Sequence, residues 1–173
     1  MTITWLPEVV QPIDGVKNTP QLDTVLLLRG AGHNLAQEIP EGTNDADLTP
    51  VQAIERDTAV FAESLGLKLV AAQSNIEGNL INHLHAARQY GAVVFSPGAY
   101  CFSSWSLYDA VAAIKTPVIE VHINNWHAKN DNRKSVMAAV CAGVIVGCGP
   151  VGYQMALLRA KELIDEKKRE TKH

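Results

Sequence analysis

Five short apolar runs, each separated from the next by a segment of helical character, constrain this chain more than any other feature. They are Thr24–Arg29, Leu67–Ala72, Ala92–Ser96, Val118–His122 and Gly143–Gly147. None alternates strictly between apolar and polar residues, and a short continuous run of this kind suits a strand covered on both faces. Helical patterns fill the gaps at Thr49–Leu65, Glu77–Tyr90, Ser103–Ile114 and Pro150–Lys168. Thr49 is placed to cap the first of these and Pro50 suits its first turn. Lys167, Lys168 and Arg169 suit the negative end of the last. Strands alternating with helices through right-handed crossovers predict an α/β fold, a doubly wound sheet of five parallel strands. The 173 residues are enough for one domain with a sizeable core. That domain is expected at 24–173. Residues 1–23 carry Pro7, Pro12 and Pro20 without periodicity, and are expected to form an arm on a surface or toward a neighbouring subunit.

Charge narrows the partners. Fifteen Lys+Arg against eighteen Asp+Glu give a net charge of −3, so nucleic acid is not expected, because phosphate binding needs clustered cations. No apolar run approaches the roughly 18 residues that span a bilayer. The start of the chain lacks the basic flank and long apolar stretch of a secretory signal, so a cytoplasmic protein is expected. Cys101, Cys141 and Cys148 are odd in number and form no C-x-x-C. They read as neither a disulfide framework nor a zinc finger but as small apolar residues in a reducing compartment, and no metal or cofactor is expected.

In doubly wound sheets, ligands bind beyond the carboxyl ends of the strands, near the point where strand order reverses. Five segments fall there: Gly30–Asn34, Gln73–Asn75, Ser96–Ser104, His122–Asn125 and the turn at 147–152. The first matches neither the dinucleotide fingerprint nor a P-loop, since Leu35 stands where glycine is needed and no lysine follows. No G-x-S-x-G elbow occurs, which disfavours a serine hydrolase of the α/β class. Glu120 and His122, two apart on a strand, share a face. A carboxylate there fixes the imidazole's tautomer and favours its charged form, which makes His122 a candidate general acid or base. A histidine merely satisfied at a strand end is the other reading. Arg133 is expected to open a helix beyond the His122 loop, offering an anion its guanidinium and a helix amino end. Asp109 lies on the third helix, where a solvated carboxylate is the plain alternative. Ser74 or Asn75 could serve only as a helix cap.

Taken in order, these segments resemble the type II 3-dehydroquinate dehydratases. The family's Q-S-N-x-E-G-x-L-I runs here from Gln73 to Ile81, and its P-G-A-Y-x-x-x-S turn from Pro97 to Ser104. P-V-I-E-V-H-x-S-N corresponds to Pro117–Asn125, followed by His127, Ala128 and Arg133. G-V-I-x-G-x-G-x-x-G-Y corresponds to Gly143–Tyr153. The resemblance runs from about Thr24 to Ala160. It implies a flavodoxin-like three-layer fold, trimers assembled into a dodecamer, and loss of water from a cyclic β-hydroxy ketone through an enolate. It implies neither Schiff base nor metal. His122 would be the acid, with Glu120 beside it. Ile123 and Asn124 would hold the substrate carboxylate, while Arg133 and Asp109 would contact ring hydroxyls or order the site.

The chain also departs from that pattern. The family's N-G-P-N-L-N after the first strand reads Arg29-Gly30-Ala31-Gly32-His33-Asn34, so one asparagine becomes Gly32 and the next survives as Asn34. The lid's arginine and tyrosine base have no counterpart between Leu35 and Ile54. An asparagine before the P-G-A-Y turn is Ser96, and a histidine after it is Phe102. Loss of a general base lowers a rate by roughly two to four orders of magnitude unless another group replaces it. His33, Glu38, Glu41, Asp45 and Asp47 are the replacements available. Phe102, with Trp105 nearby, makes the pocket more apolar, which points to a less hydroxylated cyclic ketone or carboxylate. The expected function is a hydro-lyase; the alternatives are a hydrolase or isomerase of a cyclic carbonyl compound, and a non-catalytic paralogue.

Overall fold

A computed structural model describes residues 3–8, 20–32, 50–129 and 133–171. Strands β1 (Thr4–Trp5), β2 (Gln21–Arg29), β3 (Lys68–Gln73), β4 (Tyr90–Ser96), β5 (Val118–His122) and β6 (Gly143–Val146) form one sheet in the order β1-β3-β2-β4-β5-β6. Every pairing is parallel. Helices α1 (Pro50–Ser64), α2 (Glu77–Ala86) and α3 (Trp105–Ala112) lie in the crossovers from β2 to β5, and α4 (Val151–Glu170) follows the last strand.

Each expected strand is present, and the sheet gains a sixth. Thr4 and Trp5 pair with Val70 and Ala71 at the outer side of β3, and the Leu6 amide donates to the Ala71 carbonyl at 2.8 Å. Two residues carry no periodicity, so only the open edge of β3 defines this strand. β2 begins at Gln21, within the segment expected to be arm. The helix expected over Glu77–Tyr90 stops at Ala86, followed by a 3₁₀ turn, because Tyr90 already starts β4.

Successive side chains of a strand point to opposite faces, and that splits each apolar run between two cores. Leu26, Leu28, Val93 and Phe95 pack with Leu80, Leu84, Leu107 and Val111 of α2 and α3. Val25, Leu27, Ala92 and Val94 pack with Ala59 and Ala62 of α1 and with Leu157 and Ile164 of α4. The result is the three-layer sandwich expected. The chain leaves β2 toward β3 on one side and later crosses to β4 on the other, so strand order reverses between β2 and β4.

Candidate active site

The loops leaving β2, β4 and β5 meet over that reversal. A β-carbon on Gly30 would lie 2.2 Å from the Pro97 carbonyl oxygen, and one on Gly98 would lie 2.5 Å from that of Ala31. Glycine is required on both sides of the seam, and Gly98 also adopts φ +65°. The Gly30 amide donates to the Ser96 carbonyl at 2.8 Å, closing it. Beyond β5, the amides of Gly147 and Gly149 hold the carbonyls of His122 and Ile123, each at 2.9 Å.

Between these loops opens a cleft of about 310 Å³ lined by Ala31, Gly32, Ser96, Gly98, Ala99, Phe102, His122, Ile123, Asn124, Trp126 and Arg133. Six expected site residues are therefore together: Ser96, Phe102, His122, Ile123, Asn124 and Arg133. Glu120 stands directly behind His122. Asp109 is not at the cleft; it is exposed on α3, because Leu107, Ala110 and Val111 take the buried side of that helix. His33, Asn34 and the acidic replacements Glu38, Glu41, Asp45 and Asp47 lie outside the described residues.

His122 Nε2 is 2.6 Å from Glu120 Oε1. Glu120 is wholly buried and His122 is 8 % exposed. A buried carboxylate needs donors around it, and Ser135 supplies another: its hydroxyl is 2.7 and 2.9 Å from the two Glu120 oxygens. With a proton on Nε2 donating to Glu120, Nδ1 is the nitrogen left for exchange with a ligand.

Arg133 opens no helix. The segment between it and β6 forms only a 3₁₀ turn at Met137–Ala139, so the expected helix amino end is absent. The Arg133 guanidinium lies 4.7 Å from the centre of the Phe102 ring, in cation–π range. Phe102 in turn meets Trp126 edge-on at 5.2 Å, and Trp126 meets His122 edge-on at 5.9 Å. This aromatic wall connects the cation to the imidazole. Sequence reasoning missed Trp126; its only signal was a large aromatic four residues past His122 in an otherwise polar loop. The same reasoning gave Ser74 or Asn75 as cap of α2. Ile76 occupies that position, and Ser74 acts one step earlier by accepting the Ile76 amide at 3.0 Å.

Cys101, Glu120 and His122 bring one S, one O and one N donor within 4.8 Å of one another, a set chemically able to hold a borderline-soft divalent ion. Hydrogen bonds from Ser135 and His122 already occupy the Glu120 oxygens. Burial and the Glu120 charge push the Cys101 thiol up to about 12. The arrangement is a hydrogen-bonded brace with a protonated thiol beside it.

A doubly wound sheet with a carboxylate-braced histidine and an arginine over its switch point defines a small-molecule enzyme of the α/β class. Comparison with known proteins makes the class specific: the family model for dehydroquinase class II matches residues 23–161, and the chain belongs to that family, whose named members are lyases. A 3-dehydroquinate dehydratase of Anoxybacillus flavithermus is 43% identical over 121 residues, 69% of this chain and 82% of that protein. One from Bacillus mycoides is 45% identical over 115 residues, 65% of this chain and 79% of that protein. The crystal structure of type II dehydroquinase from Propionibacterium acnes superposes with TM-score 0.69 at 26% identity, covering 81% of this chain and 98% of that one. A 3-dehydroquinate dehydratase-like protein from Bifidobacterium longum superposes with TM-score 0.61 at 25% identity, covering 82% and 97%.

Proposed function

We propose that the protein is a hydro-lyase that removes water from 3-dehydroquinate or a less hydroxylated cyclic ketone carboxylate, with His122 as general acid. The observation that carries this is the Glu120–His122 hydrogen bond at the edge of a cleft that also holds Arg133. In the reaction a base takes the proton α to the ketone, and the C–H electrons move into the carbonyl to give an enolate. The enolate then re-forms the carbonyl and expels the β-hydroxyl, which leaves as water with the proton given by His122. Glu120 holds the ring in place for that transfer through the Nε2 hydrogen bond. Arg133, with the backbone of Ile123 and Asn124, suits the substrate carboxylate. Phe102 and Trp126 offer no hydrogen-bond acceptor to ring hydroxyls, which favours the less hydroxylated substrate. His33 or an acidic residue at 38, 41, 45 or 47 serves as base.

Mixing the protein with 3-dehydroquinate and following the ultraviolet absorbance of the conjugated enone tests the reaction. His122→Ala should remove turnover by at least about two orders of magnitude, with circular dichroism unchanged. Equal rates in both proteins would remove His122 from the mechanism. A flat trace with dehydroquinate and with its deoxygenated analogues would favour the non-catalytic paralogue. The same family reading carries assembly into trimers and a dodecamer, and a cytoplasmic setting. Among the described residues, no helix is long and apolar enough to cross a membrane.

A further inference from the structure

The matched family region begins at residue 23, yet residues before it reach the strand ends that build the cleft. Trp5 lays its ring 5.1 Å from the Arg29 guanidinium at the end of β2. Three residues on, Glu8 makes two contacts: its carboxylate accepts the Ser74 hydroxyl at 3.0 Å, and its carbonyl faces His83 Nε2 at 3.1 Å.

Ser74 is wholly buried, and its hydroxyl has one proton to give and two lone pairs to fill. Glu8 takes the proton; the Ile76 amide and the Asn79 side-chain amide, at 3.0 and 3.3 Å, take the lone pairs. The next residue, Asn75, holds the cleft wall. Its side-chain oxygen accepts the Gly32 backbone amide at 3.2 Å and the Gln73 side-chain amide at 3.0 Å, and its carbonyl accepts the Tyr100 hydroxyl at 2.9 Å. A continuous path thus runs from Glu8 by a hydrogen bond to Ser74, along the chain to Asn75 and by a second hydrogen bond to Gly32, which lines the cleft.

We propose that Glu8 is a positioning residue for the cleft: by fixing the Ser74 hydroxyl it sets the 74–76 turn, and through Asn75 it sets the Gly32 wall. The functional half of this inference rests on the cleft being the active site; the geometric half does not. Removing Glu8 leaves a buried hydroxyl proton without its acceptor, and the turn that carries Asn75 must shift to satisfy it.

The test uses the full chain with Glu8→Ala and Glu8→Gln, the latter keeping an oxygen acceptor. Amide hydrogen exchange followed by NMR should be about tenfold faster at Gly32 and Ile76 in Glu8→Ala, the effect of losing one hydrogen bond to a charged group. Glu8→Gln should restore it. The amides of Val93 and Ala142, bonded to Pro117 and Val118 far from the arm, should not change. In the dehydroquinate assay, Glu8→Ala should raise KM severalfold while kcat stays within about twofold. Unchanged exchange at Gly32, or equal acceleration at Val93 and Ala142, overturns the proposal. Absent turnover in the parent protein would count against the dehydratase reading alone, since exchange at Gly32 still decides the role of Glu8.

Discussion

His83 is wholly buried, and its Nδ1 has no hydrogen-bond partner. Burial lowers its pKa from 6.5, against the upward pull of the Glu8 carbonyl and carboxylate. The neutral ring donates Nε2–H to the Glu8 carbonyl, and a proton added at Nδ1 would be a buried donor without an acceptor. The folded-state value lies below the unfolded one, so as pH falls the unfolded chain takes up this proton first. The contribution of neutral His83 is therefore fully present above pH 6.5 and is lost progressively below it. Urea denaturation on either side of that pH should give a falling midpoint in the parent protein and a flatter profile in His83→Leu; parallel declines would assign the loss to other groups. The cysteines divide by the same physics. Burial, helped by the Glu120 charge, pushes the Cys101 and Cys141 thiols up to about 12, whereas Cys148 is exposed. Since the thiolate is the reactive form, a disulfide reagent should titrate one thiol quickly in the native chain and all three after unfolding. Fast modification of two or more native thiols would contradict the packing around Cys101 and Cys141.

At the level of elements, the decisive contact is the seam between the loops leaving β2 and β4. It makes Gly30, buried just past the end of β2, sensitive to any side chain: Gly30→Ala forces a methyl group against the Pro97 carbonyl and must separate the two loops. The expected result is destabilisation of about 1–3 kcal/mol, the range for overpacking, with weaker ligand binding; a midpoint within error of the parent would show that the seam can open freely. This scale also explains which parts of the sequence were legible. β5 appears within its expected bounds because Val118–His122 is a short, β-branched-rich run between Pro117 and a polar loop, and the Glu120–His122 pairing follows from strand alternation alone. The helix expected at Arg133 gives way to tertiary bonds: the Val136 amide donates to the Cys101 carbonyl at 2.8 Å and the Ser135 hydroxyl to Glu120 at 2.7 Å, which leaves only a 3₁₀ turn before β6. β1 and the Glu8–Ser74 bond were illegible because neither leaves a local pattern. Both depend on an edge and a buried hydroxyl that exist only once the sheet has formed. Asp109 was placed by resemblance, and within one chain its helix turns it to solvent.

For the whole molecule, the question is what covers the apolar side chains that the sandwich leaves outside. Val151, Met155 and Leu158 are exposed at 50, 43 and 51 % and recur at helical spacing along one face of α4. Trp105 is 63 % exposed at the start of α3, and Ile76 is 57 % exposed just before α2. Single exposed apolar residues are ordinary, but a stripe along a helix is a surface suited to a partner. The proposed trimers and dodecamer would bury such surfaces, and Trp105 puts one of them at the start of α3, the helix whose outer side carries Asp109. The same proposal gives Asp109, which does not line the cleft of its own chain, a place to act: the cleft of a neighbouring copy. Light scattering should return a mass many times the 18.8 kDa of one chain. Asp109→Ala should then lower turnover of dehydroquinate without changing that mass. A single-chain mass would overturn the assembly, and with it any role for Asp109 in catalysis. The chemistry of Glu120 and His122, complete within one chain apart from its base, would still answer to the enone assay.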